Sequence, residues 1–342
     1  MRVLKAMLTM AAFVMGFCIQ AHAEDKILIN GAGATFPAPI YSKWFQEYNK
    51  SNPKIEINYQ SIGSGGGIKQ LTAKTVDFGA SDAPMSDTEI TAAGGNVLHI
   101  PTVLGAVTIT YNVPGVKSAL SLDGATVAEL FSGKITKWND AKIKTLNKGV
   151  ALPDTAVVPV YRSDSSGTTS VFTEYLAKVS PEWKSGIGQG KTVKWPAGLG
   201  GKGNEGVTGQ VKNTPGSVGY VELAYAMAEK LPIAMIKNKA GQYVLANLES
   251  VSAAAAGALK SMPEDFRVSI TDADGKGSYP IAAFTYLLVY KDMPGTKGEE
   301  FVKFLNWAMD AGQKQASTLQ YAQLPTPMVV KVKEKIKTIT TK

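Results

Sequence analysis

Apolar residues recur along this chain with two alternating periods. Runs rich in β-branched and aromatic side chains read as strands: ILING at 27–31, IEINYQSI at 55–62, VDFGAS at 76–81, VLHIPTV at 97–103, AVTITYNV at 106–113, AVVPVYRS at 156–163 and TYLLVYKD at 285–292. Between them, APIYSKWFQEYNK at 38–50, GIKQLTAK at 67–74, VAELFSGK at 127–134, SVFTEYLAKV at 170–179 and GEEFVKFLNWAMDAG at 298–312 carry apolar residues at helical spacing. A short alanine run at 253–256 falls in a further predicted helix. Strands and helices in turn imply an α/β protein built from βαβ units.

The first residues stand outside this pattern. Arg2 and Lys5 precede the apolar run LTMAAFVMGFCI, and Ala21-His22-Ala23 has the small-x-small form of a signal-peptidase site, so residues 1–23 read as a cleavable secretory signal. The run is too short to span a membrane, and no later stretch is long and apolar enough. Cys18 lies inside the signal behind Phe17, where lipid attachment needs a small residue. The mature chain is then cysteine-free, which excludes disulfides, thiol chemistry and cysteine-held zinc. His22 leaves as well, and His99, at the head of a strand, reads as structural. The remaining 319 of 342 residues suffice for two domains. Net charge falls from +8 to about +6 once Arg2 and Lys5 are gone. The lysines are scattered, and the tail at 331–342 reads as a solvated helical face. Export makes an anionic solute, not nucleic acid, the expected partner.

Three strand-to-helix junctions share one design. Residues 31–39, GAGATFPAP, place Thr35 as a cap before prolines allowed in a first turn; residues 61–69, SIGSGGGIK, put Ser64 in the capping position; residues 162–168, RSDSSGT, offer Ser166 or Thr168. A helix start presents unpaired N–H groups and a partial positive charge, and glycine lets a ligand approach the backbone. Any one junction alone is most simply a capped helix. Three together, one carrying an arginine, point to a small oxyanion. The stretch at 63–69 lacks the GK[ST] ending of a nucleotide P-loop. GLGGKG at 198–203 fits G-x-G-x-x-G formally, with Glu222 as a ribose-binding acid, but Trp195-Pro196 makes a poor end to a buried strand, so the segment reads as a glycine-rich loop.

GAGATFPAPIYSKW, YQSIGSGGGIKQL, VDFGASDAPMS, YRSDSSGTTSVFTEYL, VKWPAGLGGKGNEGV and GSVGYVELAYA, in this order through the mature chain, resemble the exported phosphate-binding proteins that serve phosphate-specific (Pst) ABC importers. The resemblance implies a periplasmic-binding-protein fold, in which two α/β domains joined by a hinge close on one phosphate in the cleft between them. It implies a periplasmic monomer without cofactor or catalytic activity that delivers phosphate to a membrane permease. Carried over position by position, the ligand set falls on Thr35, Phe36, Ser64, Asp82, Arg162, Ser166, Gly167 and Thr168, with Asp164 orienting Arg162. Phe36 and Gly167 can offer only backbone N–H groups. With the strand-like crossings, the family topology places domain 1 at 24–103 plus 280–342 and domain 2 at 104–279.

The chemistry of these residue types agrees. The planar fork of Arg162 suits two oxygens of a tetrahedral anion. Phosphate still carries a proton at neutral pH and sulfate does not, so Asp82 among donors offers phosphate an acceptor and meets sulfate with an unpaired buried charge. Taken alone, Asp82 in SDAPMSD would be a turn or helix cap. The alternatives are a receptor for sulfate, molybdate or tungstate, against which Asp82 speaks, and a secreted phosphatase using Ser166 or Thr168, which would need a base or metal cluster that the sequence around RSDSSGTTS does not supply.

Overall fold

The computed structural model describes residues 26–342; the signal reading at 1–23, with Cys18 and His22, lies outside the described residues. Along the chain run β1 (Ile27–Gly33), α1 (Ala38–Ser51), β2 (Ile55–Ser61), α2 (Ser64–Thr72), β3 (Phe78–Ser81), α3 (Asp87–Ala92), β4 (Val97–Asn112), β5 (Ser121–Leu122), α4 (Gly124–Phe131) and α5 (Ala141–Leu146). There follow β6 (Val158–Arg162), α6 (Gly167–Val179), α7 (Pro181–Ser185), β7 (Leu199–Gly201), α8 (Gly203–Asn213), β8 (Ser217–Glu222), α9 (Leu223–Ala228), β9 (Met235–Lys237), β10 (Tyr243–Val244), α10 (Leu248–Ala256), β11 (Ala282–Tyr290), α11 (Thr296–Trp307) and α12 (Thr326–Ile336). No helix among the described residues is long and apolar enough to cross a membrane.

Eight strands form one mixed sheet in the order β2-β1-β3-β11-β4-β8-β6-β7, and β10-β9-β5 form a small second sheet. At one end β1 pairs in parallel with β2 and β3; at the other β6 pairs in parallel with β7 and β8. The two parallel groups meet through β4 and β11, which run antiparallel to each other and to their flanking strands. Parallel strands need crossover helices; the strands that read as near-continuous apolar runs are the central β4 and β11, buried along almost their whole length, whereas the edge strand β2 alternates buried and more exposed positions.

The sequence predicts two strands, at 97–103 and 106–113, where the fold has the single 16-residue β4. Pro101, which has no N–H for the ladder, sits beside a register shift at Thr285/Tyr286, so a bulge absorbs it and the strand continues. Gly105 is needed because a Cβ there would lie 2.6 Å from the Phe36 ring. β8, the wholly buried SVGYVE, has no counterpart among the predicted strands; Gly219 and the terminal acid break its β-like composition, and the glycine is demanded by Val211, whose side chain would lie 2.7 Å from a Cβ at that position. The predicted helix at 298–312 is α11 followed by a π turn over Ala308–Gly312, where Trp44 donates to the Gly312 carbonyl at 2.9 Å. In the tail, α12 ends at Ile336; it buries Val332 and Ile336 and leaves Lys331 and Lys337 exposed.

Aromatic rings fill the space between helices and sheet in two groups. Tyr41, Phe45, Phe78, Phe301 and Phe304 interlock beneath α1 and α11, with Phe78 and Phe301 stacked at 4.8 Å. Phe131, Phe172, Trp195 and Tyr220 do the same at the other end, with Phe172 and Tyr220 stacked at 4.3 Å. Each such pair adds about 1 kcal/mol to the burial of its rings. Strand ends between these packed groups are therefore held rigidly.

Candidate anion-binding site

All three predicted junctions follow the carboxyl ends of parallel strands: Thr35 and Phe36 after β1, Ser64 after β2, and Arg162 with Ser166, Gly167 and Thr168 at the end of β6. Asp82 directly follows β3. Crevices of this kind, where parallel strands from two groups face each other, are where open α/β sheets bind ligands. Every residue of the predicted set is buried except Asp164, which is half-buried.

The two sides touch directly. Gly167 N donates to Ser64 Oγ at 3.1 Å, and Gly65 N to the Ser165 carbonyl at 3.0 Å. A Cβ on Gly167 would stand 2.3 Å from Ser64 Oγ and 2.6 Å from Asp82 Oδ2, so only glycine permits this approach. Gly63, with φ +89, and Gly65 leave room in the same way for Asp164 and Ser165.

Of the three predicted caps, only one caps. Ser166 Oγ accepts from Thr169 N at 3.0 Å at the head of α6. The N-cap of α1 is Pro37 and that of α2 is Gly63, neither with a side-chain bond. The Thr35 and Ser64 hydroxyls are turned across the crevice instead. Ser64 Oγ accepts from Asp82 N at 3.3 Å as well as from Gly167 N, and Thr35 Oγ1 accepts from Asn204 N at 3.1 Å and Asn204 Nδ2 at 2.7 Å. Phe36 is anchored by its carbonyl, which accepts from Tyr321 OH at 2.6 Å.

Arg162 donates from Nε and Nη2 to the two oxygens of Asp164, at 2.7 and 2.5 Å, and from Nη1 to Thr168 Oγ1 at 3.2 Å. Three of the five guanidinium N–H groups are thereby engaged, leaving two for an anion. Burial alone would raise the Asp164 pKa, but the Arg162 fork and charge, with Gly203 N at 3.0 Å, outweigh it and hold the carboxyl below its ordinary range. Asp82 is the opposite case. Its Oδ1 accepts from Thr285 at 2.9 Å, while buried Oδ2 has no hydrogen-bond partner. Burial pushes its pKa up to about 7 against the pull of Thr285, Arg162, Ser64 and Thr168.

Asn204 is the residue that sequence reading missed. Besides Thr35 it reaches Thr168 Oγ1 at 3.2 Å, and its Oδ1 accepts from Glu222 N at 2.8 Å. It stands on a fourth strand-to-helix junction, β7 to α8, immediately after the segment at 198–203 read as a glycine-rich loop. The signal was present in Gly201-Lys202-Gly203-Asn204, the same strand, glycine and polar residue sequence as the other three. Glu222 lies buried, caps α9 through Ala224 N at 2.6 Å, and has its pKa raised well above the carboxylate range by burial, so it offers nothing to a ribose. His99 is structural: Nε2 accepts from Met85 N at 2.9 Å, and burial lowers its pKa to about 4, leaving it neutral.

Comparison with known proteins agrees with this architecture. The family model of the PBP superfamily domain matches residues 20–311. The chain is 45% identical over 314 residues to a phosphate-binding protein PstS of Xylella fastidiosa, covering 91% of this chain and 85% of the relative. It is 44% identical over 336 residues to that of Pasteurella multocida, covering 98% and 96%. Among solved structures, a high-affinity periplasmic phosphate-binding protein bound with phosphate superposes with a TM-score of 0.70 at 24% identity, over 90% of this chain and 93% of that one. A phosphate-binding protein from Stenotrophomonas maltophilia gives 0.71 at 21%, with the same coverage. The fold is that of the periplasmic binding proteins, and the chain belongs to the PstS family of phosphate-binding proteins.

Proposed function

We propose that this chain is a receptor that captures inorganic phosphate in the crevice and hands it to the permease of a Pst ABC importer. One observation carries the reading: a buried carboxylate oxygen, Asp82 Oδ2, lies without a hydrogen-bond partner among hydroxyl, guanidinium and amide donors. An anion that brings both acceptor oxygens and a proton satisfies every group there. Phosphate does so with its own proton; sulfate has none, so Asp82 must stay unpaired or take a proton from solvent, a cost against sulfate that grows as pH rises above about 7. The ligand groups are the Thr35, Ser64, Ser166 and Thr168 hydroxyls, the Phe36 and Gly167 N–H groups, the Arg162 guanidinium and the Asp82 acceptor, with Asp164 holding Arg162 in place. The relatives are named as binding proteins, and the chain acts without catalysis or cofactor, as an exported monomer of the periplasm.

Capture works by closure. The described residues of the first domain, 26–103 with 280–342, form one body and 104–279 the other, rotating about the strands that join them. The Gly167–Ser64, Gly65–Ser165 and Asn204–Thr35 bonds belong to the closed form. Calorimetric titration of the mature protein, stripped of anion by reversible unfolding, tests the reading. Tight one-to-one binding of phosphate with none of sulfate is expected. Equal binding of the two would make this a general oxyanion receptor, and no binding of either would refute the function.

A further inference from the structure

We propose that Asn204 is a positioning residue that forces the Thr35 and Thr168 hydroxyls to donate into the site, and so sets its affinity by acting through the two threonines. The inference rests on the phosphate reading and names a residue outside the ligand set.

Asn204 is fully buried and has every polar group of its side chain engaged. Its orientation is fixed by chemistry: Glu222 N can only donate, so the amide oxygen must face it and the NH2 must face the threonines. One amide hydrogen then goes to Thr35 Oγ1 at 2.7 Å and the other to Thr168 Oγ1 at 3.2 Å. Thr35 Oγ1 also receives Asn204 N at 3.1 Å, and Thr168 Oγ1 also receives Arg162 Nη1 at 3.2 Å. A hydroxyl oxygen has two lone pairs and one proton. With both lone pairs of each oxygen taken by N–H donors, neither proton can point back toward its neighbours, and each hydroxyl becomes a donor for an acceptor in the crevice.

Ser64 reaches the same condition by another route, since the two N–H groups on its oxygen come from the backbone at Asp82 and Gly167. Asn204 is the place where this device is a side chain and can be removed. Without it the threonine hydroxyls regain acceptor positions and rotational freedom, and an incoming anion must reorder them. Donors already aimed at the charge bind more strongly than donors that must be turned.

The test is a double-mutant cycle read by phosphate affinity. Asn204→Ala is expected to weaken phosphate binding about 10- to 100-fold in the otherwise unmodified protein. Added to a Thr35→Val/Thr168→Val background, the same substitution is expected to cost less than about twofold, because the hydroxyls through which it acts are gone. A loss carried undiminished into the valine background marks a merely structural residue and overturns the proposal. So does Asn204→Ala binding within about twofold of the unmodified protein. Thermal melting reports folding of each variant. If the alanine variant does not fold, Asn204→Asp takes its place in the cycle, since it keeps the shape and the bond from Glu222 N but turns the two donors into acceptors. Binding by Asn204→Asp equal to that of the unmodified protein overturns the proposal as well. No phosphate binding by the unmodified protein refutes the phosphate reading itself, and this inference with it.

Discussion

Two aspartates flank Arg162, and the fold treats them in opposite ways. Asp164 is gripped by both arms of the guanidinium fork and by Gly203 N, and its proton affinity is lowered. Asp82 sits in a drier corner, with the Thr285 hydroxyl on Oδ1 and no well-formed hydrogen bond on Oδ2, and burial raises its pKa to about 7 although Thr285, Arg162, Ser64 and Thr168 all favour its charged form. A carboxylate whose lone pairs are occupied by fixed donors orients a neighbour and has nothing left for a ligand. One left partly unsatisfied in a buried crevice is an acceptor kept in reserve. The difference lies in the donors brought to each, the Arg162 fork and Gly203 N on Asp164 against the Thr285 hydroxyl on Asp82, and on the proposed reading it gives one side-chain type two functions.

The largest effect should come from the residue between the acids. Arg162→Ala removes the two guanidinium N–H groups available to the anion and leaves Asp164 without its partner. Loss of a buried charge of this kind is worth about 3–5 kcal/mol, so phosphate affinity should fall roughly 10³-fold by calorimetry. An affinity within tenfold of the unmodified protein's would show that the anion is held elsewhere. Next in size is Asp82→Asn, which replaces the reserved acceptor by a group that can also donate. Discrimination between phosphate and sulfate should then shrink about 10²- to 10³-fold, read as the ratio of the two affinities. An unchanged ratio would make Asp82 a structural residue.

The raised pKa of Asp82 has its own signature in the ligand-free protein. The folded-state value of about 7 lies above the ordinary 3.8, so between these pH values the folded chain holds a proton that the unfolded chain has released. The contribution of this group to stability is greatest below about pH 4, declines as pH rises through that window, and is level above about pH 7. Asp82→Asn removes the dependence. The variant should melt several degrees above the unmodified protein near pH 8, and the gap should narrow as pH falls below about 7 and close near pH 4. A gap that does not change with pH would place the carboxyl in an ordinary, solvated environment and end the contrast with Asp164.

How much of this the sequence carried follows from what each feature depends on. The α/β alternation and helices such as α1 and α6 rest on local periodicity, and they were legible. The three junctions were legible as helix starts, yet the expected caps at Thr35 and Ser64 failed, because a cap is a local bond and these hydroxyls are claimed by Asn204, Asp82 and Gly167 from distant parts of the chain. The union of two predicted strands into β4 depended on the gap between them, Leu104 and Gly105, pairing with Phe284 and Ala283 of β11, far along the chain. Asn204 stayed hidden for a related reason. It directly follows glycines whose spacing fits a nucleotide motif, and that fit masks a junction of the same design as the other three.

Asp164→Asn should have the smallest effect of all on affinity. Removing the negative charge weakens the grip that orients Arg162, which disfavours binding. The same removal leaves the guanidinium less neutralised, which favours an anion beside it. These terms oppose, and phosphate affinity should stay within about tenfold of the unmodified protein. Stability should suffer instead, because the Arg162 fork and Gly203 N lose a charged acceptor in a place where the Arg162 side chain is 1% exposed. The cost is about 1–3 kcal/mol, measurable by denaturant unfolding of the ligand-free protein. A loss of affinity as deep as that of Arg162→Ala would mean that Arg162 has no productive position of its own and that the two residues form one functional unit. The comparison between the acids would then reduce to a single one, Asp82, acting on the ligand, with Asp164 inseparable from its arginine.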